Sequence, residues 1–257
     1  MQHVPTAMQF TTLTPDDLLR LYSYPSRLGA PWFRVNFIAT VDGAVSLDGV
    51  SGPLGTPADH ALFDIQRDLA DVVLVGGGTA RAENYGGAHT DAHRRIRLHH
   101  HGLGGAPDGS PPPIAVVTAR ADLDPAGRLF TDTVTPPIVL TTAAAPMERR
   151  ERLTAAGAEV IVAGPDGMTP TAIRDALTAR GLLRVLCEGG PSLFGRLLGA
   201  GLVDELCLTV SPLLAAGSAG RIAVSDNATP TPMSLRHVLL DSDGTMLTRW
   251  ERQHTQS

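Results

Sequence analysis

The sequence predicts one three-layer α/β domain, with a mixed, mostly parallel central sheet covered on both faces and an antiparallel C-terminal hairpin. Three observations carry this. Short apolar runs of strand length alternate with segments of helical period from Trp32 to Leu198, as in parallel sheets with helical crossovers. Two of the strands run into glycine turns that open helices, Gly76-Gly77-Gly78-Thr79 and Gly189-Gly190-Pro191. The final strand-like runs, 205–210, 235–240 and 245–250, have no helical segment of their own, and Asp241-Ser242-Asp243-Gly244 joins the last two as a hairpin. A chain of 257 residues buries a core of this size in a single unit, so residues 1–257 are read as one domain.

Taken in order, Thr14-Pro15-Asp16-Asp17 supplies an N-cap, an N1 proline and first-turn acids for a short helix carrying Leu18, Leu19 and Leu21. That helix falls in an N-terminal appendage, residues 1–30. Residues 32–40 alternate, with Phe33, Val35, Phe37 and Ala39 on one face and Arg34, Asn36 and Ile38 on the other, and Asp42-Gly43 then turns the chain. They form the first core strand. Thr56-Pro57 caps a helix that buries Ala61, Leu62, Ile65 and Leu69. Residues 72–75 form a second strand, followed by the first glycine turn and the helix-compatible Ala80-Arg81-Ala82-Glu83. Residues 86–112 shift to Gly, Pro, His and Arg and read as a mobile loop. Strands are predicted over 113–118, 137–142, 159–162 and 182–187, with helices over 146–156, closed by Gly157, and from Thr169-Pro170 to Gly181. Residues 253–257 are a tail.

Composition excludes several functions. No lysine is present, so the 21 basic residues are all arginines, and neither a Walker phosphate loop nor a pyridoxal Schiff base is available. The net charge of −5 argues against a nucleic-acid surface. No basic segment followed by an apolar stretch opens the chain and no run approaches a membrane span, so the expectation is a cytoplasmic protein with no membrane partner. Cys187 and Cys207 lie in apolar runs and read as small buried hydrophobes. The histidines of 89–101 have no cysteine among them and no recognisable metal-ligand pattern, so no metal is expected.

The candidate site lies at the strand ends. Gly189 and Gly190 let another molecule approach the main chain, and the helix that Pro191 opens points its free N–H groups at the same spot. Glu188, ending the strand before them, is placed to face a substrate. The turn at Gly76 to Thr79 is a second phosphate cradle, so a pyrophosphate held between the two is the natural reading. It is not a dinucleotide fingerprint of Rossmann type, because Arg81 stands at the third glycine position. Thr118 and Arg120, just past a strand end, suit a ribose 2′-phosphate.

The ordered set Val35-Asn36-Phe37-Ile38-Ala39-Thr40-Val41-Asp42-Gly43, Ser51-Gly52, Thr56-Pro57, Arg67, the run 70–79, Pro113 to Thr118, Glu188-Gly189-Gly190-Pro191-Ser192-Leu193 and Val203-Asp204-Glu205-Leu206 resembles the pyrimidine reductase family of riboflavin biosynthesis. This family is the reductase half of a bifunctional deaminase-reductase and has the dihydrofolate reductase fold. The resemblance implies hydride transfer from NADPH to the ribosyl carbon of an aminopyrimidine ribose phosphate, and a homodimer. It implies that Ala39, Gly76, Gly78, Thr79, Glu83, Thr118, Gly189, Gly190, Pro191, Ser192 and Leu193 surround the dinucleotide. It also implies that Ser51, Arg67 and Glu188 face the substrate. Glu188 and Asp42 are the candidate catalytic acids, either of which would also face the ring of a pterin, the substrate of a dihydrofolate-type reductase. A catalytically silent NADPH-binding module is the third reading. The chain departs from the family pattern twice: Ala44 stands where a basic residue usually follows the Asp-Gly turn, and Gly86-Gly87-Ala88-His89 stands where an arginine usually occurs. The zinc motifs of the deaminase half are absent.

Overall fold

The computed structural model describes residues 6–165 and 167–253. Its strands are β1 (Thr6–Gln9), β2 (Trp32–Thr40), β3 (Val72–Gly76), β4 (Ile114–Val117), β5 (Ile138–Thr141), β6 (Glu159–Val162), β7 (Arg184–Cys187), β8 (Val203–Ser211), β9 (Met233–Leu240) and β10 (Met246–Arg252). They form one sheet in the order β1-β9-β10-β8-β2-β7-β3-β4-β5-β6. Only β10 runs antiparallel to its neighbours, β8 and β9. The helices are α1 (Pro15–Leu21), α2 (Pro57–Leu69), α3 (Gly77–Ala82), α4 (Ala92–His100), α5 (Arg128–Thr131), α6 (Met147–Ala155), α7 (Pro170–Thr178) and α8 (Pro191–Gly199). The predicted mixed sheet with its antiparallel end is therefore present.

The middle strands are buried on both sides, which is why they read as continuous apolar runs. In β3, Val72 and Leu74 join a core with Ile173 and Leu177 of α7 and Leu193, Phe194 and Leu197 of α8. Val73 and Val75 face the opposite layer, with Ala80, Ala88 and Leu129. The parallel register β3–β7 and β3–β4 brings the carboxyl ends of β7, β3 and β4 side by side, and both glycine turns lie there.

Three expectations are corrected. Residues 6–30 are not an appendage, residues 1–5 lying outside the described residues: β1 extends the sheet beside β9, and α1 packs Leu18 and Leu19 into a core shared with Tyr22, Tyr24 and α2. Four strand residues carry too little pattern to be read alone; the open edge of β9 gives them a partner. The supposed mobile loop holds α4. Asp91 caps it by accepting the Arg94 N–H at 2.8 Å, and buried Arg95 donates to the carbonyls of Ser110, Arg67, Asp68 and Ala70 at 2.6, 3.2, 2.9 and 3.0 Å. On α2 the buried stripe is Ala58, Leu62, Ile65 and Leu69, while Ala61 is exposed. Of the tail, residues 254–257 lie outside the described residues.

One charge cluster has a fully buried centre, Arg34 with Glu205. Arg34 of β2 donates from Nε to Glu205 Oε1 at 2.6 Å, and Arg249 of β10 donates to both Glu205 oxygens at 2.9 and 3.0 Å. The Arg34 guanidinium also lies over the Tyr24 ring, 4.0 Å from its centroid. Alternation put Arg34 on the opposite face from Phe33, and this acid explains how a charge is held there.

Candidate active site

The two glycine turns touch. Gly76 N–H donates to Gly189 C=O at 2.8 Å, and Glu188 N–H donates to Leu74 C=O at 2.9 Å, continuing the β3–β7 pairing into the turn. Gly189 has φ +94°, and a Cβ there would lie 2.8 Å from Phe37 Cζ. A Cβ on Gly190 would collide with Thr79 Oγ1 of the other turn. Only residues without side chains allow this approach. The peptide between Gly189 and Gly190 is cis. α3 and α8, like α5 and α6, have no side-chain cap, whereas α1, α2, α4 and α7 are capped by Thr14, Thr56, Asp91 and Thr169. Adjacent helix starts without capping side chains suit an anionic group, so the cradle fits the phosphates of a dinucleotide.

Beside the turns lies a cavity of about 490 Å³ lined by residues of β2, α2, α3 and the segments around 45–55 and 84–89. Arg67 and Glu188 meet within it. Arg67 Nε and Nη2 donate to Glu188 Oε1 and Oε2, each at 2.8 Å, and the Tyr85 hydroxyl donates to Oε2 at 2.7 Å. The Arg67 guanidinium also stacks 4.2 Å from the Phe63 ring centroid. Burial opposes the Arg67 charge, but the facing carboxylate outweighs it and holds the guanidinium pKa above its ordinary value. Burial, reinforced by the Glu188 charge, pushes the Tyr85 phenol well above its ordinary range, so Tyr85 keeps its proton and acts as a donor.

A family model described as the RibD C-terminal domain matches residues 31–247. The chain belongs to the RibD C-terminal domain family. The riboflavin biosynthesis protein RibD of Bacillus amyloliquefaciens is 24% identical over 226 residues, 87% of this chain and 57% of that protein. The 2,5-diamino-6-ribosylamino-4(3H)-pyrimidinone 5′-phosphate reductase of Methanothermobacter thermautotrophicus is 28% identical over 194 residues, 76% of this chain and 83% of that protein. The chain spans about half the length of the RibD proteins it matches, 57% and 47% for two of them. A crystal structure of a pyrimidine reductase-like protein from Corynebacterium diphtheriae shares the fold with a TM-score of 0.80 at 28% identity, over 94% of this chain and 100% of that one.

Within this RibD C-terminal domain, the cavity gathers Ser51, Arg67, Thr79, Glu83, Glu188, Gly190 and Pro191. Glu83 Oε1 accepts the Ser51 N–H at 2.8 Å, so two residues expected to face different ligands hold each other. Gly76, Gly78 and Gly189 form the turns beside the cavity. Asp42 is elsewhere: with Ala39 it lines a second recess, and its carboxylate accepts from the backbone N–H groups of Ala215 and Ala216. The Thr40 hydroxyl and those two amides hold its pKa down at about 2, and its carboxylate ties the 215–216 segment to the Asp-Gly turn. Leu193 is buried in the core beneath the turn, and Ser192 is exposed. At the end of β4 the Thr118 hydroxyl donates to Asp122 at 2.7 Å, and Arg81 pairs with the same acid at 3.1 Å. Arg120 is exposed nearby, its carbonyl accepting from Arg149 at 3.4 Å. An i,i+4 pair of Arg67 with Asp71 does not form, because Asp71 caps the N–H groups of Leu183 and Arg184.

Sequence reasoning missed Tyr85, Arg128, His60 and His89 as cavity residues. The signal for Tyr85 was its place three residues beyond the short helix that the first glycine turn opens. Arg128 gave none, since it reaches the cavity from a separate segment. Among the described residues no group of three or more His, Cys, Asp or Glu side chains is placed to hold a metal ion, and no helix is long and apolar enough to cross a membrane.

Proposed function

We propose that the protein is an NADPH-dependent reductase of an aminopyrimidine ribose phosphate. The observation that carries this reading is the junction of the two uncapped glycine turns with the Arg67–Glu188–Tyr85 cluster at one cavity. The reduced nicotinamide would supply hydride to the ribosyl carbon, opening the sugar to a ribityl chain. The turns at Gly76 to Thr79 and Gly189 to Ser192 would hold its phosphates through backbone N–H groups. Glu188 is fixed by Arg67 and Tyr85, so that it orients the acceptor without spending substrate binding on its own ordering. Ser51, tethered by Glu83, lines the same cavity.

NADPH rather than NADH rests on Thr118 and Arg120 at the end of β4, with Arg81 of α3 reaching the same loop through Asp122. Arg120→Ala should weaken NADPH about ten-fold and leave NADH nearly unchanged, as removal of a charge-assisted phosphate contact would. The reaction is tested by following NADPH oxidation with the ribosylaminopyrimidine phosphate and with a dihydropterin. Turnover of the pyrimidine alone is expected. Turnover of the pterin alone would favour a dihydrofolate-type reductase, and NADPH binding without oxidation of either would reduce the protein to a nucleotide-binding module. A homodimer and a cytoplasmic location complete the proposal, the first tested by mass in solution.

A further inference from the structure

The segment Gly86-Gly87-Ala88-His89 after the first glycine turn carries no arginine, yet the cavity wall there is not without a cation. The segment 128–133 docks on these glycines. Gly87 N–H donates to Asp132 C=O at 2.7 Å, and a Cβ on Gly87 would lie 2.7 Å from Thr133 Cα. A Cβ on Gly86 would lie 3.3 Å from Arg128 Nη2 and 3.1 Å from an Asp132 carboxylate oxygen. The glycine pair therefore makes room for α5 to bring Arg128 to the cavity, 42 residues later in the chain than Gly86.

The acids of the cavity already have protein donors. Asp59 accepts from the Thr209 hydroxyl at 2.6 Å, Glu83 from Ser51, and Glu188 from Arg67 and Tyr85. Arg67 is spent on a buried bidentate pair with side chains 12% and 3% exposed. Arg128 is different: its partner is Asp132 at 2.7 Å, and the two side chains are 52% and 46% exposed. Such a solvated pair is worth little and exchanges readily for a better acceptor. A phosphate monoester, with two charges and three oxygens, is a better acceptor for a guanidinium than one exposed carboxylate. His89 also lines the cavity, is exposed, and is near enough to act electrostatically on Asp132.

We infer that Arg128 and His89 form a phosphate-monoester subsite at the rim of the cavity, where Arg128 takes the anionic end of the substrate and releases Asp132. This rests on the reading of the substrate as a ribose phosphate. The test pairs calorimetric titration with kinetics. Ribose 5-phosphate and ribose are titrated into the wild-type protein, Arg128→Ala, Asp132→Asn and His89→Gln, and KM and kcat are measured with the phosphorylated pyrimidine. Arg128→Ala should weaken ribose 5-phosphate about ten-fold or more, the size of a lost charge-assisted contact, without changing ribose. Its KM should rise by a similar factor with kcat little changed, and His89→Gln should show a smaller loss. Asp132→Asn should bind ribose 5-phosphate as well as wild type or better. If Asp132→Asn reproduces the loss, the ion pair only shapes the segment and the subsite is refuted. The same holds if wild type does not prefer ribose 5-phosphate to ribose, or if Arg128→Ala binds it normally. Failure to reduce any pyrimidine would remove the proposed reaction, while the titrations would still decide the subsite.

Discussion

Glu188 is 8% exposed, and a carboxylate so enclosed needs hydrogen bonds on both oxygens; Arg67 and Tyr85 supply three. Removing one partner of a buried pair leaves the other charge uncompensated, which typically costs about 3–5 kcal/mol. Glu188→Gln should therefore lose about 3 kcal/mol of stability in urea unfolding together with activity. The double variant Arg67→Met/Glu188→Leu should recover most of that stability and none of the activity. A Glu188→Gln protein as stable as wild type would show that the pair contributes nothing to folding. Tyr85→Phe keeps the ring and deletes one bond to a charged acceptor, worth about 1.5–3 kcal/mol. Glu188 is legible from its strand end, and Arg67 only through the family resemblance. Their mutual bond was illegible because 121 positions separate them and only the packing of α2 across the end of β7 joins them.

At the scale of elements, α2 ends with carbonyls that no further turn can satisfy, and Arg95 of α4 takes them up. Its planar fork spans several acceptors at once, which an ammonium on a flexible stem does not. Arg95→Met should lower stability by at least about 3 kcal/mol, seen as a fall in Tm of about 6 °C or more, and Arg95→Lys should recover less than half. A shift within error for Arg95→Met would mean that water replaces the guanidinium without loss. The same helix shows why residues 86–112 read as a loop. Ala92–His100 offers little apolar surface, with Leu98 its one buried aliphatic side chain, so the buried face is built largely from an arginine. Hydrophobic period detects faces made of hydrocarbon and is blind to this one. β2, β3 and α8, whose faces are apolar, were legible to within a residue or two. Asp42, the acid of the Asp-Gly turn, is a candidate to face a substrate ring from the sequence alone; its partners Ala215 and Ala216 belong to a segment 173 positions away.

For the molecule as a whole, the enclosed cluster around Glu205 sets the response to acid. Burial, with the Arg249 charge beside it, holds the His237 pKa at about 4 against an ordinary 6.5. Between those values the unfolded chain binds a proton that the folded one refuses, so stability is full above pH 6.5 and is lost as pH falls toward 4. Glu205 loses solvation, but Arg34 and Arg249 more than offset this and hold its pKa at about 2 against 4.5, adding a second loss between those values. Urea midpoints at pH 7.5, 5.5 and 4 should fall stepwise, by on the order of 2 kcal/mol across the first window, and His237→Gln should flatten that window. A flat profile in the wild-type protein would remove His237 from the account. The sheet order behind this cluster was not legible, because β2 draws both of its neighbours, β7 and β8, from residues 184–211. That placement governs how the protein is born. A ribosome adding roughly 5–20 residues per second needs on the order of 10–30 s to pass from the end of β2 to the end of β8. Until β7 emerges, the larger part of that interval, a nine-residue strand waits with both backbone edges open, the condition in which nascent chains stick to one another. Arg34 and Asn36 interrupt its apolar run, so the charge that finishes enclosed against Glu205 first serves as the strand's guard against aggregation.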